Sequence, residues 1–159
     1  MKYIKNIAIS LATLVWFVSC DEGGDPDPGG TSTEQLAGDW YVETYLADGT
    51  KAQDYALWST YNTAANDGTL WVDDQNHTFG LKAKAQTSGL AFSASNAENI
   101  NNEGTTVTIT DGEVLKGVAT TSGGNVSDSI YLKVEVSNSP GTVYEVRGYK
   151  RTGFAEDEH

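Results

Sequence analysis

The sequence predicts an all-β domain: an antiparallel meander of about eight or nine strands closing into a barrel, with a β-sandwich of similar strand count as the alternative. Three observations carry that prediction. Apolar and polar residues alternate with period two over several runs, and successive side chains of a strand point to opposite faces. Glycine-containing turn sequences separate the runs at short intervals, as antiparallel neighbours require. From Gln35 onward no stretch of ten or more residues carries the apolar stripe of a helix. A meander this long must close or fold into two layers, because open edges invite aggregation.

The N-terminal elements come first. Met1 to Asn6 hold Lys2 and Lys5 and no acid, and Ile7 to Val18 form an apolar run of twelve. A helix needs about 20 residues to span a bilayer core, so this run reads as a secretory signal peptide. It ends in Phe17-Val18-Ser19-Cys20, which resembles the lipobox of bacterial lipoproteins, with Phe17 where leucine is usual. That resemblance implies a diacylglyceryl group on Cys20 and cleavage just before it. Two or more acyl chains make attachment stable, at about 0.8 kcal/mol per buried methylene. Cleavage removes two lysines and no acid, taking the formal charge from −12 to −14. Residues 21–33 contain no large apolar side chain and cannot offset the entropy of ordering. The expected division is a lipoprotein signal peptide over 1–19, lipidated Cys20 with a flexible acidic Gly/Pro linker over 20–33, and one barrel domain over 34–159 with a short acidic C-terminal tail. The acids directly after Cys20 resemble export signals of some Gram-negative lipoproteins, so outer membrane or cell surface is the expected location. The periplasmic face of a membrane is the alternative.

Strands are expected near 39–46, 57–63, 69–73, 77–84, 90–94, 105–110, 114–120, 126–136 and 142–150. Asp48-Gly49 ends the first, and Asn66-Asp67-Gly68 separates the second from the third. In the fourth, Phe79, Leu81, Ala83 and Ala85 oppose Thr78, Gly80, Lys82 and Lys84; Ser88-Gly89 follows. Val107 and Ile109 lie opposite threonines, which suit a pleated surface. Asp111-Gly112 and Ser122-Gly123-Gly124-Asn125 are the next expected turns. The clearest run is 126–136, where Val126, Asp128, Ile130, Leu132, Val134 and Val136 share one face. Pro140-Gly141 precedes the last strand.

Composition excludes several classes of function. With 22 acidic against 10 basic residues, the chain lacks the basic surface that nucleic-acid binding needs. One cysteine permits no internal disulfide and no thiolate metal cluster. No cofactor and no metal are implied, since Asp67, Asp73 and Asp74 match no calcium-loop spacing. There is no Gly-X-Ser-X-Gly elbow for a serine nucleophile. His77 is the one internal histidine and a weak candidate base, with a solvated turn histidine as the default. The aromatic side chains are more suggestive. Trp58, Tyr61, Trp71, Phe79 and Phe92 are the candidate ligand-binding set, lining a barrel cavity. The simpler role for each ring is core filling, at roughly 150–250 Å² buried apiece.

Gly38-Asp39-Trp40, opening the first strand, resembles the signature of lipocalin-like (calycin) barrels. The resemblance implies that Trp40 closes one barrel end and that a basic residue of the last strand packs across its ring, a contact worth roughly 0.5–2 kcal/mol. Arg147 and Arg151 are the candidates. A broader likeness runs through Leu36-Ala37-Gly38-Asp39-Trp40-Tyr41-Val42, Thr60-Tyr61-Asn62-Thr63-Ala64, Leu70-Trp71-Val72-Asp73-Asp74 and the block Tyr149 to Glu158. Together they resemble the bacterial lipoproteins called lipid-binding putative hydrolases, over Glu34 to Glu158. That implies a calycin-type barrel and an apolar ligand; the family brings no catalytic residues to carry over. The expected function is a surface- or outer-membrane-anchored lipoprotein that binds a small apolar or amphipathic ligand in a barrel cavity without transforming it. The expected partners are the membrane, through Cys20, and a lipid. A weak hydrolase of lipid or glycan esters and a glycan-binding or structural surface module are the alternatives.

Overall fold

The structure is a computed structural model that describes residues 30–159; the expected signal peptide over 1–19, Cys20 and residues 21–29 lie outside them. Eight antiparallel strands follow one another round a closed barrel: β1 (Gly38–Leu46), β2 (Lys51–Asn62), β3 (Thr69–Asp73), β4 (Lys82–Ser88), β5 (Ala91–Glu98), β6 (Thr106–Thr120), β7 (Val126–Val136) and β8 (Tyr144–Lys150). β1 pairs with both β2 and β8, so the seam is closed and the sandwich alternative falls away. Gly148 makes that seam possible, because a Cβ there would meet the Tyr41 carbonyl oxygen at 1.9 Å.

Period-two alternation sorts the side chains as expected. Trp40, Val42, Trp58, Leu70, Val72, Leu81, Ile109, Leu132 and Val134 all point inward and are at most 1 % exposed. A 3₁₀ turn, Glu34–Leu36, caps one end with the buried Leu36. Its carbonyl accepts from the Thr60 hydroxyl, which in turn accepts from the Trp40 indole N–H at 2.8 Å.

Three expectations about the elements need correction. The two strands expected at 105–110 and 114–120 are one, β6. Asp111 adopts a φ of +53°, and the β6–β7 ladder steps from Thr110↔Lys133 to Glu113↔Tyr131. Asp111-Gly112 is therefore a bulge with one extra residue on β6, rather than a turn. Gly112 is required there because a Cβ would meet the Phe92 carbonyl oxygen at 2.4 Å. The strand expected at 77–84 starts at Lys82, because the buried Asp74 carboxylate takes the N–H groups of Asn76, Phe79 and Leu81 and folds 74–81 into a loop. β2 reaches back to Lys51, in a stretch whose Lys-Ala-Gln-Asp gives no alternation.

The domain also begins earlier than residue 34. Thr33 is 2 % exposed, and the Ser32 N–H donates to Asn66 Oδ1 at 2.7 Å, so residues 31–33 are docked instead of belonging to the linker. The acidic C-terminal segment is likewise folded. It forms a 3₁₀ turn, Ala155–Asp157, whose Asp157 accepts from the Gly123 N–H at 3.0 Å and the Asn125 amide at 3.1 Å. Thr31 enters at the rim that carries the β2–β3, β4–β5 and β6–β7 connections. The four other connections form the opposite rim.

Candidate functional site

The barrel axis is occupied by side chains. Every strand contributes inward-facing residues that are essentially inaccessible, including Ala83 and Ala85 of β4, Val107 and Ile109 of β6, and Val146 of β8, each 0 % exposed. The expected lumen cavity is thus replaced by a packed interior, built mainly of branched aliphatic side chains around Trp40 and Trp58. Openings lie in the wall.

One such cleft, about 630 Å³, sits where β4 and β5 separate. Their ladder runs only through Gln86↔Ser93, Thr87↔Phe92 and Ser88↔Ala91. The strands meet again where the Ile100 N–H donates to the Lys82 carbonyl at 2.8 Å and the Lys82 N–H donates to Asn99 Oδ1 at 3.0 Å. Between those points β5 has more residues than β4, and the excess bulges outward at Asn96, whose φ is +46°. Its N–H turns to the Thr108 hydroxyl at 3.2 Å. The result is a slit with the partly buried Ala94 and Ala97 on its floor, the core residue Ile109 beneath them, and Lys84, Gln86, Ser93, Ser95, Thr108 and Thr110 around its mouth. An apolar floor with a polar mouth and one cation matches an amphipathic guest. Among the described residues Lys84 makes no ion pair with a carboxylate, whereas Lys51, Lys82, Lys116, Lys133 and Arg151 all do.

The candidate aromatic residues are dispersed around this frame. Trp58 is an interior residue whose indole N–H donates to Thr78 Oγ1 at 3.0 Å, and Phe79 meets it edge-on at 6.1 Å. Phe92 is 3 % exposed and packed into the core beside Gly112. Tyr61 and Trp71 are register partners on the outer wall, because Thr60, Leu70 and Val72 take the inward positions beside them. Lys82 Nζ lies 5.5 Å from the Tyr61 ring and 5.6 Å from the Trp71 ring, and Lys84 Nζ lies 5.4 Å from the Trp71 ring. Burial, and then the hydrogen bond to Asp73, hold the Tyr61 phenol above its ordinary pKa. The five rings therefore line no common cavity. Trp71 alone borders the slit, through Lys84.

Barrel closure follows the expected chemistry with a different cation. Trp40 is fully buried, and the ammonium over its ring is Lys150, at 5.8 Å. Lys150 is the β8 register partner of Trp40 and also donates to the Ala37 carbonyl at 2.9 Å. Arg147 and Arg151 have the opposite parity and face outward. The Arg147 guanidinium stacks on Tyr45 at 3.8 Å, and Arg151 pairs with Glu158 at 2.7 Å. Gly38 leaves space for the lysine stem, since a Cβ there would meet Lys150 Cε at 2.7 Å. The shared parity of Trp40 and Lys150 in the β1–β8 pairing was the signal available for it.

His77 is exposed in the β3–β4 loop, with Nδ1 3.0 Å from the Leu57 carbonyl, to which it donates. Among the described residues no serine hydroxyl and no carboxylate bonds its ring. It borders a cleft of about 460 Å³ with Tyr41, Tyr55 and His159. There the His159 ring stacks on Tyr55 at 3.8 Å. Residues 25–155 match the family described as lipid-binding putative hydrolase, and the chain belongs to that family. No curated protein matches the sequence.

Proposed function

From the premise that this chain is a member of a lipid-binding barrel family, we propose that it is a lipoprotein held at the outer membrane or cell surface through Cys20. Its barrel binds one amphipathic lipid in the β4–β5 slit and does not transform it. The observation that carries this reading is the slit. It lies where the β4–β5 ladder opens, and its volume of about 630 Å³ falls within the range of ordinary small-ligand sites. An acyl chain lies against Ala94 and Ala97, small residues that leave width for it, above the buried Ile109. A carboxylate or phosphate head meets Lys84 and the hydroxyls of Ser93, Ser95 and Thr108. Binding without chemistry is supported by His77, whose ring, among the described residues, bonds the Leu57 carbonyl and neither a nucleophile nor the orienting carboxylate that ester hydrolysis requires.

The test is native mass spectrometry of the mature chain released from detergent, with palmitate and a lysophospholipid supplied. The expected spectrum shows a diacylated Cys20 and one further lipid held without a covalent bond. A chain that carries no non-covalent lipid under these conditions contradicts the binding reading, and an unmodified Cys20 contradicts the anchoring. A carbohydrate-binding module is the second reading, favoured by the exterior pair Tyr61 and Trp71. Saturation of their signals by a surface glycan, with no lipid bound, would establish it instead.

A further inference from the structure

The exposed apolar side chains are not scattered evenly. Six large hydrophobic residues are exposed in the described region, and three of them, Val118, Val126 and Phe154, belong to β6, β7 and the segment after β8 at the rim where Thr31 enters, with Leu115 further down the β6 wall. Val118 is 62 % exposed, Val126 73 % and Phe154 56 %. The chain exposes them for identifiable reasons. The β6–β7 ladder steps from Leu115↔Ser129 to Ala119↔Ser127, with Gly117 at a φ of +66°, so residues 116–118 bulge away from the barrel. Asp157 then ties the hairpin turn to the C-terminal segment through Gly123 and Asn125, which holds Phe154 at the same rim as Val118 and Val126. The Phe154 N–H is itself fixed by Thr152 Oγ1 at 3.2 Å.

We infer that this rim rests on the bilayer, with Val118, Val126 and Phe154 entering the headgroup region of a zwitterionic membrane. The inference rests on the anchoring reading, in which Cys20 is lipidated. Only residues 21–30 separate Cys20 from Thr31, a reach of at most about 40 Å. The tether therefore keeps this rim, rather than the opposite one, at high effective concentration near the lipid. Apolar contact, not basic charge, is the attraction. The rim cations Lys116 and Arg151 are paired with Asp128 and Glu158, and without the two lysines of residues 1–19 the formal charge of −12 becomes −14. An anionic bilayer would oppose such a surface, whereas a rigid edge of aliphatic and aromatic side chains suits a neutral interface.

The test uses the full mature lipidated chain in phosphatidylcholine vesicles. An environment-sensitive fluorophore is placed at Val126→Cys or, in a second protein, at Asn138→Cys on the opposite rim; the thiol of Cys20 is blocked by its own anchor. The label at 126 is expected to shift to the blue and to be quenched by lipids carrying a nitroxide near the headgroup, while the label at 138 stays in water. Intact mass is measured on the same samples. A diacylated chain whose label at 126 reads as wet as the label at 138 overturns the inference and leaves the anchoring standing. An unmodified Cys20 overturns both. A shift at 126 that appears only when other envelope proteins are added overturns it in favour of a protein partner.

Discussion

Asp74 is the residue whose removal tests the physical account of the fold most sharply. It is 0 % exposed, in the loop between β3 and β4, and its Oδ1 accepts from Asn76 at 2.9 Å and Leu81 at 2.8 Å while Oδ2 accepts from Phe79. The loop it holds contains three residues in the left-handed region, Gln75 at +51°, Asn76 at +61° and Gly80 at +62°. Asp74→Ala leaves the buried Leu81 N–H unsatisfied, at about 1–3 kcal/mol, and strands two part-buried N–H groups that water partly recovers. The total is roughly 3–5 kcal/mol. Unfolding entropy of about 2.1 cal/mol/K per residue over a domain of this size converts the middle of that range into a fall in Tm of about 15 °C. Asp74→Asn should cost about half, because one oxygen persists while the amide nitrogen faces the Phe79 N–H. The assay is calorimetric unfolding of the three proteins. A shift under about 1 kcal/mol for Asp74→Ala would refute the reasoning, since it would mean that the loop holds its shape without the carboxylate.

Three further outcomes are expected. Lys150→Met should destabilise the barrel by about 1–2 kcal/mol and alter the near-ultraviolet circular dichroism of Trp40, while Arg147→Met leaves that signal unchanged. Among the described residues Thr44 Oγ1 is buried without a hydrogen-bond partner, so Thr44→Val should raise stability by about 1 kcal/mol in chemical denaturation; a loss would show that the hydroxyl has a partner. The third concerns acid. Arg151, then Tyr41, hold Glu158 below its ordinary pKa; burial works against ionisation of Asp157 and Asp128, but hydrogen bonds from Thr121, Thr152 and Asn125 to the former and from Lys116 and Gly117 to the latter outweigh it. Folded values below the unfolded ones mean that this stabilisation is complete above about pH 5 and is lost as pH falls through and below about 4. Hydrogen exchange should show the 152–158 segment loosening first in that window; loosening between pH 7 and 5 would contradict the assignment.

Alternation made most of the architecture legible, because an inward residue every second position is enough to mark both a strand and its core face. That pattern alone puts Val107, Ile109, Leu132 and Val134 inside, where they are fully buried. What escaped were features set by backbone irregularity and by long-range register. Asp111-Gly112 reads as a turn in sequence, yet the neighbouring β7 is continuous and makes it a bulge. The opening between β4 and β5 depends on excess residues around Asn96 that bear no apolar pattern. The rings of Trp71 and Tyr61 suggest a cavity lining in sequence, yet parity with Leu70 and Val72 puts them outside. The cation over Trp40 required knowing that β8 pairs with β1 in the register Trp40↔Lys150. Asp157 resembles any solvated acid in an Ala-Glu-Asp-Glu run until Gly123 and Asn125 are brought to it across the fold.

The central claim is that a lipid occupies the opening in the wall rather than the axis of the barrel. Photolabelling with a diazirine-bearing fatty acid, followed by peptide mapping of the mature chain, tests it directly. The account predicts adducts confined to residues 83–86, 93–97 and 108–110. Adducts on Leu36, Leu132 or Val134 would place the guest in the interior, and adducts around Tyr131 and Arg147 would place it on another face; either result contradicts the claim.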